Sequence, residues 1–180
     1  MMDGVDKKER DMELDSKKLK VYCETSFWSY LVGGPTTDEK VARWQALTRK
    51  WWEEIAPKCD IFISQHVVDE AAKGNREKSK QRSLVFASTM QLDGLVPEAT
   101  ELGRELRRFH AVPENEVTDS LHIATASIYA MDILLTWNCR HMANIVTLPK
   151  TVSIVARAGY ECPAIITPED FFNRQEEFEI

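Results

Sequence analysis

Cysteine is sparse in this chain and isolated where it occurs: Cys23, Cys59, Cys139 and Cys162 lie far apart and form no C-x-x-C pair. That spacing excludes a disulfide framework and fits reduced thiols in a cytoplasm. Long apolar runs are also missing. The most apolar stretches are short and broken by charge or proline, so no membrane-spanning helix is expected. The first residues lack the apolar core of a signal peptide, so export is not expected either. Positive charge is in deficit, with a net charge of −6 and a pI near 5.3. That balance argues against a protein that coats nucleic acid through overall charge. It leaves open an enzyme that meets nucleic acid through bound metal and a local basic patch. No internal repeat is visible.

What is present suits one globular domain. A chain of 180 residues, 43% apolar and 29% charged, can bury a single core beneath an ordinary polar surface. Residues 1–18 are dense in charge and poor in large apolar groups, which predicts a disordered or frayed extension. The domain is expected over residues 19–174, with 175–180 as a C-terminal tail. Leu19, Val21 and Cys23 alternate with polar neighbours, predicting a first strand that runs into a turn at Thr25-Ser26. Gly33-Gly34-Pro35 breaks the chain, and Thr36 with Glu39 matches a capping box. Val41, Trp44, Leu47, Trp51 and Ile55 then recur at helical spacing up to Pro57.

Further on, "DIFIS" (60–64) predicts a second strand and "QHVVDEAAKGN" a helix ending at Gly74. Residues 75–89 read as polar helix, "LDGLV" (92–96) as a third strand, and "PEATELGRELRRF" as a helix with Pro97 in its first turn. Pro113 is expected to open the next helix, with Val117, Leu121, Ala124, Ile128 and Met131 on its inner stripe. "ILLTW" (133–137) reads as the fourth strand, "TVSIVARAGY" as a helix ending at Gly159, and "AIIT" (164–167) as the last strand. Strands alternating with helices predict a parallel, five-stranded sheet covered on both faces, a three-layer α/β/α sandwich.

Ligands of such sheets sit outside the carboxyl ends of the strands. Glu24 ends the first strand there and Asn138 follows the fourth. Glu70 lies one or two turns into the helix leaving the second strand. Asp119 lies in the first two turns of the helix that runs back before "ILLTW", so it should share a rim with Asn138 although a helix and a strand separate them. Carboxylates gathered in one place raise one another's pKa unless a cation compensates. Mg²⁺ or Mn²⁺ suits oxygen ligands, and hydrolysis of a phosphodiester is the chemistry such a site supports.

The segments "VYCETSFWSYL", "ISQHVVDEAAKG", "TDSLHIATA" and "DILLTWNCRHMAN" together make the chain resemble the PIN-domain ribonucleases, including the VapC-type toxins of toxin–antitoxin pairs. The resemblance covers residues 19 to about 170. It implies a five-stranded parallel sheet between helices and an acidic pocket that binds Mg²⁺ or Mn²⁺ and cleaves single-stranded RNA. It assigns catalysis and metal binding to Glu24, Glu70 and Asp119, gives Asn138 a weaker place among the ligands, and makes Thr25, Ser26 and Thr136 supporting hydroxyls. It implies an RNA substrate, an antitoxin protein, a homodimer and no membrane partner. Two departures stand out: Glu24 replaces the family's usual Asp, and Asn138 occupies a position where a fourth acid is frequent. Three formal charges suffice for one divalent ion.

Blander readings exist for each residue alone. Asp119 would complement a helix dipole, Glu24 would be a solvated turn residue, Glu70 one of a solvated pair with Asp69, and Asn138 a loop cap. His122, His141 and Cys139 invite a zinc reading that no second ligand pair supports. His141 beside Arg140 reads as a phosphate contact or a backbone cap. Trp28, Trp44, Trp51, Trp52 and Trp137 read as core or interface, and adjacent Trp51 and Trp52 suggest a second apolar face suited to a dimer. The rival functions are a degenerate PIN module that binds RNA or protein without cutting, and a metal-dependent phosphohydrolase acting on a small ester.

Overall fold

The computed structural model describes residues 18–73, 76–93 and 96–178. The expected N-terminal extension up to residue 17, Gly74 and part of "LDGLV" lie outside them. The strands are β1 (Lys20–Cys23), β2 (Asp60–Ser64), β3 (Met90–Leu92), β4 (Ile133–Leu135) and β5 (Ala164–Ile166). The helices are α1 (Thr25–Leu31), α2 (Glu39–Glu54), α3 (Gln65–Ala72), α4 (Arg76–Phe86), α5 (Pro97–Arg108), α6 (Val117–Ile128), α7 (Leu148–Arg157) and α8 (Pro168–Asn173). All strand pairings are parallel, in the order β3-β2-β1-β4-β5. Val21 at the centre pairs with Ile61 on one side and Ile133 on the other.

Successive strand residues point to opposite faces, and all three residues of β4 are buried, so both faces are covered. On one flank α5 packs against α6 and α7; elsewhere α2 packs against α1 and α8. Close approach of α5 and α6 depends on Gly103, where a Cβ would meet Leu121 Cδ2 at 3.2 Å and Ser120 Oγ at 3.4 Å. Arg107 of α5 donates to Ser120 Oγ at 2.5 Å across the same contact. Arg82 of α4 is buried and donates to the carbonyls of Ala71 and Lys73, satisfying the C-terminal end of α3. Gly159 takes φ +87° just after α7, as a helix-ending glycine does.

Several boundaries differ from the sequence reading, each for a local reason. No turn intervenes after β1, because Glu24 caps α1 directly and the helix starts at Thr25. Asp38, not Thr36, caps α2 by accepting from Val41 N at 3.0 Å, while Thr36 Oγ1 accepts from Asp38 N. The third strand lies earlier than "LDGLV", pairing Met90 with Phe62 and Leu92 with Ser64. It is an edge strand with only Leu92 buried, so its polarity hid it. Pro113 opens a turn, its carbonyl accepting from Glu116 N, and α6 begins at Val117.

The inner face of α6 carries Ser120, Ile123, Ala124 and Ser127, whereas Val117 is 47% exposed. Met131 is buried beyond the helix end. Trp51 is buried and packs on Phe27 and Phe171, whereas Trp52 packs on Phe27 and Trp28 but stays half-buried and lines a surface pocket with Pro57, Ile61 and Met90. The segment after α8 forms a short turn, Gln175–Phe178, whose Phe178 ring stacks on Phe171 at 5.0 Å. All four cysteines are free, and no helix among the described residues is long and apolar enough to cross a membrane.

Candidate active site

In this sheet the chain progresses outward from β1 through β2 to β3, then crosses back to place β4 on the other side of β1. The crevice outside the carboxyl ends of β1 and β4 is therefore the topological switch point, where open α/β sheets bind ligands. Glu24 follows β1 immediately, and Thr136 and Asn138 follow β4. Three hydrogen-bonded groups converge on this edge.

The first is built around Glu24. Its side chain is 5% exposed and accepts from Ser26 N at 2.8 Å and from Ser26 Oγ, so it is the N-terminal cap of α1 rather than a solvated turn residue. Ser26 Oγ in turn accepts from Trp137 N at 2.8 Å, tying α1 to the end of β4. Burial pushes the Glu24 carboxyl up from its ordinary value, against the opposing pull of His122 and the hydroxyls of Ser26 and Thr136.

The second surrounds Glu70. Thr25 Oγ1 donates to Glu70 Oε2 at 2.5 Å, and His122 Nε2 meets the same oxygen at 2.9 Å. Burial alone would raise this carboxyl, but the bonds from His122 and Thr25 outweigh it and hold Glu70 below its ordinary value. A carboxylate only accepts, so Nε2 carries a proton toward Glu70. On the other side of the ring Nδ1 shares a hydrogen bond with Tyr22 OH at 2.7 Å, and Tyr22 OH shares another with Ser64 Oγ at 2.7 Å. Ser64, Tyr22 and His122 are fully or almost fully buried, and burial pushes the Tyr22 phenol up, so it stays protonated. Asp69, by contrast, pairs with Gln65 on the exposed side of α3.

The third centres on Asp119 in the first turn of α6. Asn138 Nδ2 donates to Asp119 Oδ2 at 2.8 Å, and His141 Nδ1 meets the same oxygen at 3.0 Å. Asn138 Oδ1 accepts from His141 N at 3.1 Å, which fixes the amide orientation because the two neighbours demand opposite ends of it. Thr136 Oγ1 accepts from Asn138 N at 2.8 Å, so Thr136 links the Glu24 and Asp119 groups. Burial pushes the Asp119 carboxyl up; His141 and His122 oppose the rise, and Glu116 adds to it.

Asp119 and Asn138 thus meet on one rim, as the topology requires. Among the described residues, the set of three whose ligand atoms all lie within 4.8 Å of one another is Glu116, Asp119 and His141. Glu24 and Glu70 lie outside that set, turned toward Ser26, Thr25 and His122, although His122 influences all three carboxylates. No cysteine joins such a cluster among the described residues. The donor set is two carboxylates and one imidazole, which suits Mn²⁺ and, through its oxygens, Mg²⁺. The sequence motifs do not single out Glu116; it stands at the cap of α6, three residues before Asp119, and joins the site through His141, a contact made only in the fold.

No protein-family model matches the sequence, and no curated protein does. The structure is similar to that of VapBC2 from Rickettsia felis bound to a DNA fragment from their promoter. That likeness has a TM-score of 0.53 at 15% identity, over 82% of this chain and 97% of that one. It is also similar to VapC20 of Mycobacterium tuberculosis, a sarcin–ricin-loop-cleaving toxin, with a TM-score of 0.47 at 18% identity over 63% of this chain and 86% of that one. At such identities the likeness to the Rickettsia protein is one of fold. The chain has a VapC-like PIN fold.

Proposed function

We propose that the chain is a Mg²⁺- or Mn²⁺-dependent endoribonuclease that cuts phosphodiester bonds of single-stranded RNA. The observation that carries this reading is Asp119, held between Asn138 and His141 beside Glu116, at the switch point toward which Glu24 and Glu70 also converge. A divalent cation held there by Asp119, with Glu116, His141, Glu24 and Glu70 as the available partners and Asn138 as the weakest, would polarise a phosphoryl oxygen and lower the pKa of a water.

The chain's own residues contribute orientation. His141 and Asn138 hold one oxygen of Asp119 and leave the other free. Thr25 and His122 do the same for Glu70, whose lowered pKa keeps it ionised at neutral pH. Glu24 and Asp119, raised by burial, are the carboxylates whose ionised forms gain most from a cation.

A toxin role with an antitoxin partner extends the same reading, motivated by the Rickettsia felis neighbour having been solved as VapBC2. A homodimer in the cytoplasm belongs to it as well, and light scattering on the purified chain tests the stoichiometry. Incubating an unstructured RNA with the protein in Mn²⁺, and separately in EDTA, tests the activity. Cleavage that needs Mn²⁺ and is lost in Asp119→Asn supports the ribonuclease. RNA binding without cleavage favours the degenerate module, and turnover of small phosphate esters alone favours the phosphohydrolase.

A further inference from the structure

Beside the acidic group the surface opens into a cavity of about 420 Å³, lined by His110, Arg140, His141, Asn144 and Thr147 among others. No carboxylate lines it. Among the described residues, the Arg140 guanidinium makes no hydrogen bond or ion pair, nor does the His110 ring. Arg140 is exposed at the cavity, and the five N–H donors of its planar fork match a phosphate.

The backbone around this cavity is fixed rather than loose. Asn144 Nδ2 donates to Arg140 O at 2.8 Å and Asn144 Oδ1 accepts from Val146 N at 2.9 Å, so the Asn144 amide is spent on pinning the turn that carries Arg140. Thr147 stands at the start of α7 with no side-chain cap bond, and no acid occupies the first turn of that helix. The positive end of α7 therefore adds to the attraction for an anion. His110 takes φ +56° as the left-handed stop after α5, its N–H bonding to Arg107 O at 2.9 Å and Ala111 N to Leu106 O at 2.9 Å, which fixes the position of its ring on the cavity.

We infer that this basic cavity is a docking site for one phosphate of a single-stranded RNA, the neighbour of the phosphate that meets the acidic group. His141 forms the shared wall: its Nδ1 serves Asp119 on one side and its ring lines the cavity on the other. Arg140 supplies the charged fork and the His110 ring a further donor, while the Thr147 hydroxyl, which donates to Asn144 O at 3.5 Å, is part of the wall. The choice of RNA as ligand rests on the ribonuclease reading; the phosphate chemistry of the cavity rests on its own residues.

The test is binding in EDTA, where no metal-dependent cut takes place. A short single-stranded RNA is titrated by anisotropy into wild type, Arg140→Ala, Arg140→Lys and His110→Gly, with melting temperatures as a folding control and inorganic phosphate as competitor. Arg140→Ala is expected to weaken RNA binding about tenfold, as loss of a charge-assisted bond implies. It should also flatten the slope of log K against log salt by about 0.7 for the lost phosphate contact. Arg140→Lys should restore the slope but not the full affinity. His110→Gly should melt no lower than wild type, since glycine accepts that φ, yet bind RNA more weakly.

Unchanged affinity and slope in Arg140→Ala overturn the inference, even if the protein cuts RNA with Mn²⁺ and the ribonuclease reading stands. Arg140-dependent RNA binding without any cleavage keeps the cavity and removes the ribonuclease. Phosphate binding through Arg140 with no RNA binding assigns the cavity to a small phosphate ester and overturns its RNA role.

Discussion

Asn138 donates its amide to Asp119 Oδ2 at 2.8 Å while accepting the His141 backbone N–H at 3.1 Å. One neutral side chain thus joins the end of β4 to the start of α6 and sets the loop that carries Arg140 and His141. A carboxylate at position 138 could accept from His141 but could not donate to Asp119. The amide is what lets a half-buried Asp119 stay in place without a cation.

Asp119→Asn should abolish metal-dependent cleavage and leave the fold within about 1 kcal/mol of wild type or more stable, because an amide oxygen still accepts from Asn138 and His141. The pH dependence carries a definite sign. Asp119 has a raised folded pKa, so its contribution is fully present below its ordinary 3.8 and is lost as pH rises through the raised value. In EDTA the stability of wild type relative to Asp119→Asn should therefore improve as pH falls from 7 toward 4. Denaturant titrations at several pH values read this, and a flat difference would sink the burial argument.

Tyr22→Phe should cost about 2 kcal/mol, because it strands His122 Nδ1 and Ser64 Oγ in the core without a partner. Ser64→Ala should cost less, since Tyr22 OH and His122 Nδ1 keep their hydrogen bond to each other. The relay also orients the Nε2–H that holds Glu70, so Tyr22→Phe should weaken Mn²⁺ binding as well as stability. Equal costs for the two variants, with Mn²⁺ affinity unchanged, would remove the relay from any role in the site.

Mn²⁺ should raise the melting temperature, since only the folded chain gathers the ligands. At about 100 times its Kd, one ion adds about 2.7 kcal/mol, a shift on the order of 5–10 °C for a domain of this size. Calcium should stabilise too, yet support little cleavage, because its looser coordination aligns reactants poorly. Absence of any shift with millimolar Mn²⁺ would move the non-cleaving module ahead.

The sheet was legible because its central strands are continuous apolar runs between polar breaks, as "DIFIS" and "ILLTW" are. The rim position of Asp119 and Asn138 followed from topology alone. What escaped were features set by tertiary context. Met90–Leu92 pairs as an edge strand although its pattern is weak. Along α6 burial extends nearly all round and takes in the polar Ser120, His122, Thr125 and Ser127, so hydrophobic periodicity marked Ala124 but not the breadth of the buried face, and wrongly included the exposed Val117. His122 looked like a spare ligand near the acids, but its role depends on Tyr22 and Ser64, which are 100 and 58 residues away in the chain. No local pattern records a partner at that distance. For the Trp51-Trp52 pair the sequence could not say how the two rings divide: Trp51 is buried on Phe27 and Phe171, while Trp52 rests on Phe27 and Trp28 with part of its ring at the surface.

Asn138→Asp gives the sharpest test of the site, because its two effects have opposite signs. In EDTA the variant loses the donor to Asp119 and sets a second carboxylate against the first at hydrogen-bond distance. Loss of the bond and repulsion in a partly solvated rim should together cost about 2 kcal/mol at neutral pH. The cost should shrink as pH falls, since a shared proton lets the two carboxyls pair. With Mn²⁺ the added charge becomes an asset, and the stabilisation by metal should exceed that of wild type. Asn138→Ala separates the contributions: it loses the donor to Asp119, and the acceptor for His141 N as well, without adding charge, so it should be destabilised in EDTA but gain nothing extra from Mn²⁺. Thermal melts of the three proteins, each in EDTA and in Mn²⁺, decide the matter. Equal metal-induced shifts in Asn138→Asp and Asn138→Ala would mean that position 138 shapes the loop but stands apart from any bound cation, and the acidic site would then be centred on Glu116, Asp119 and His141 alone.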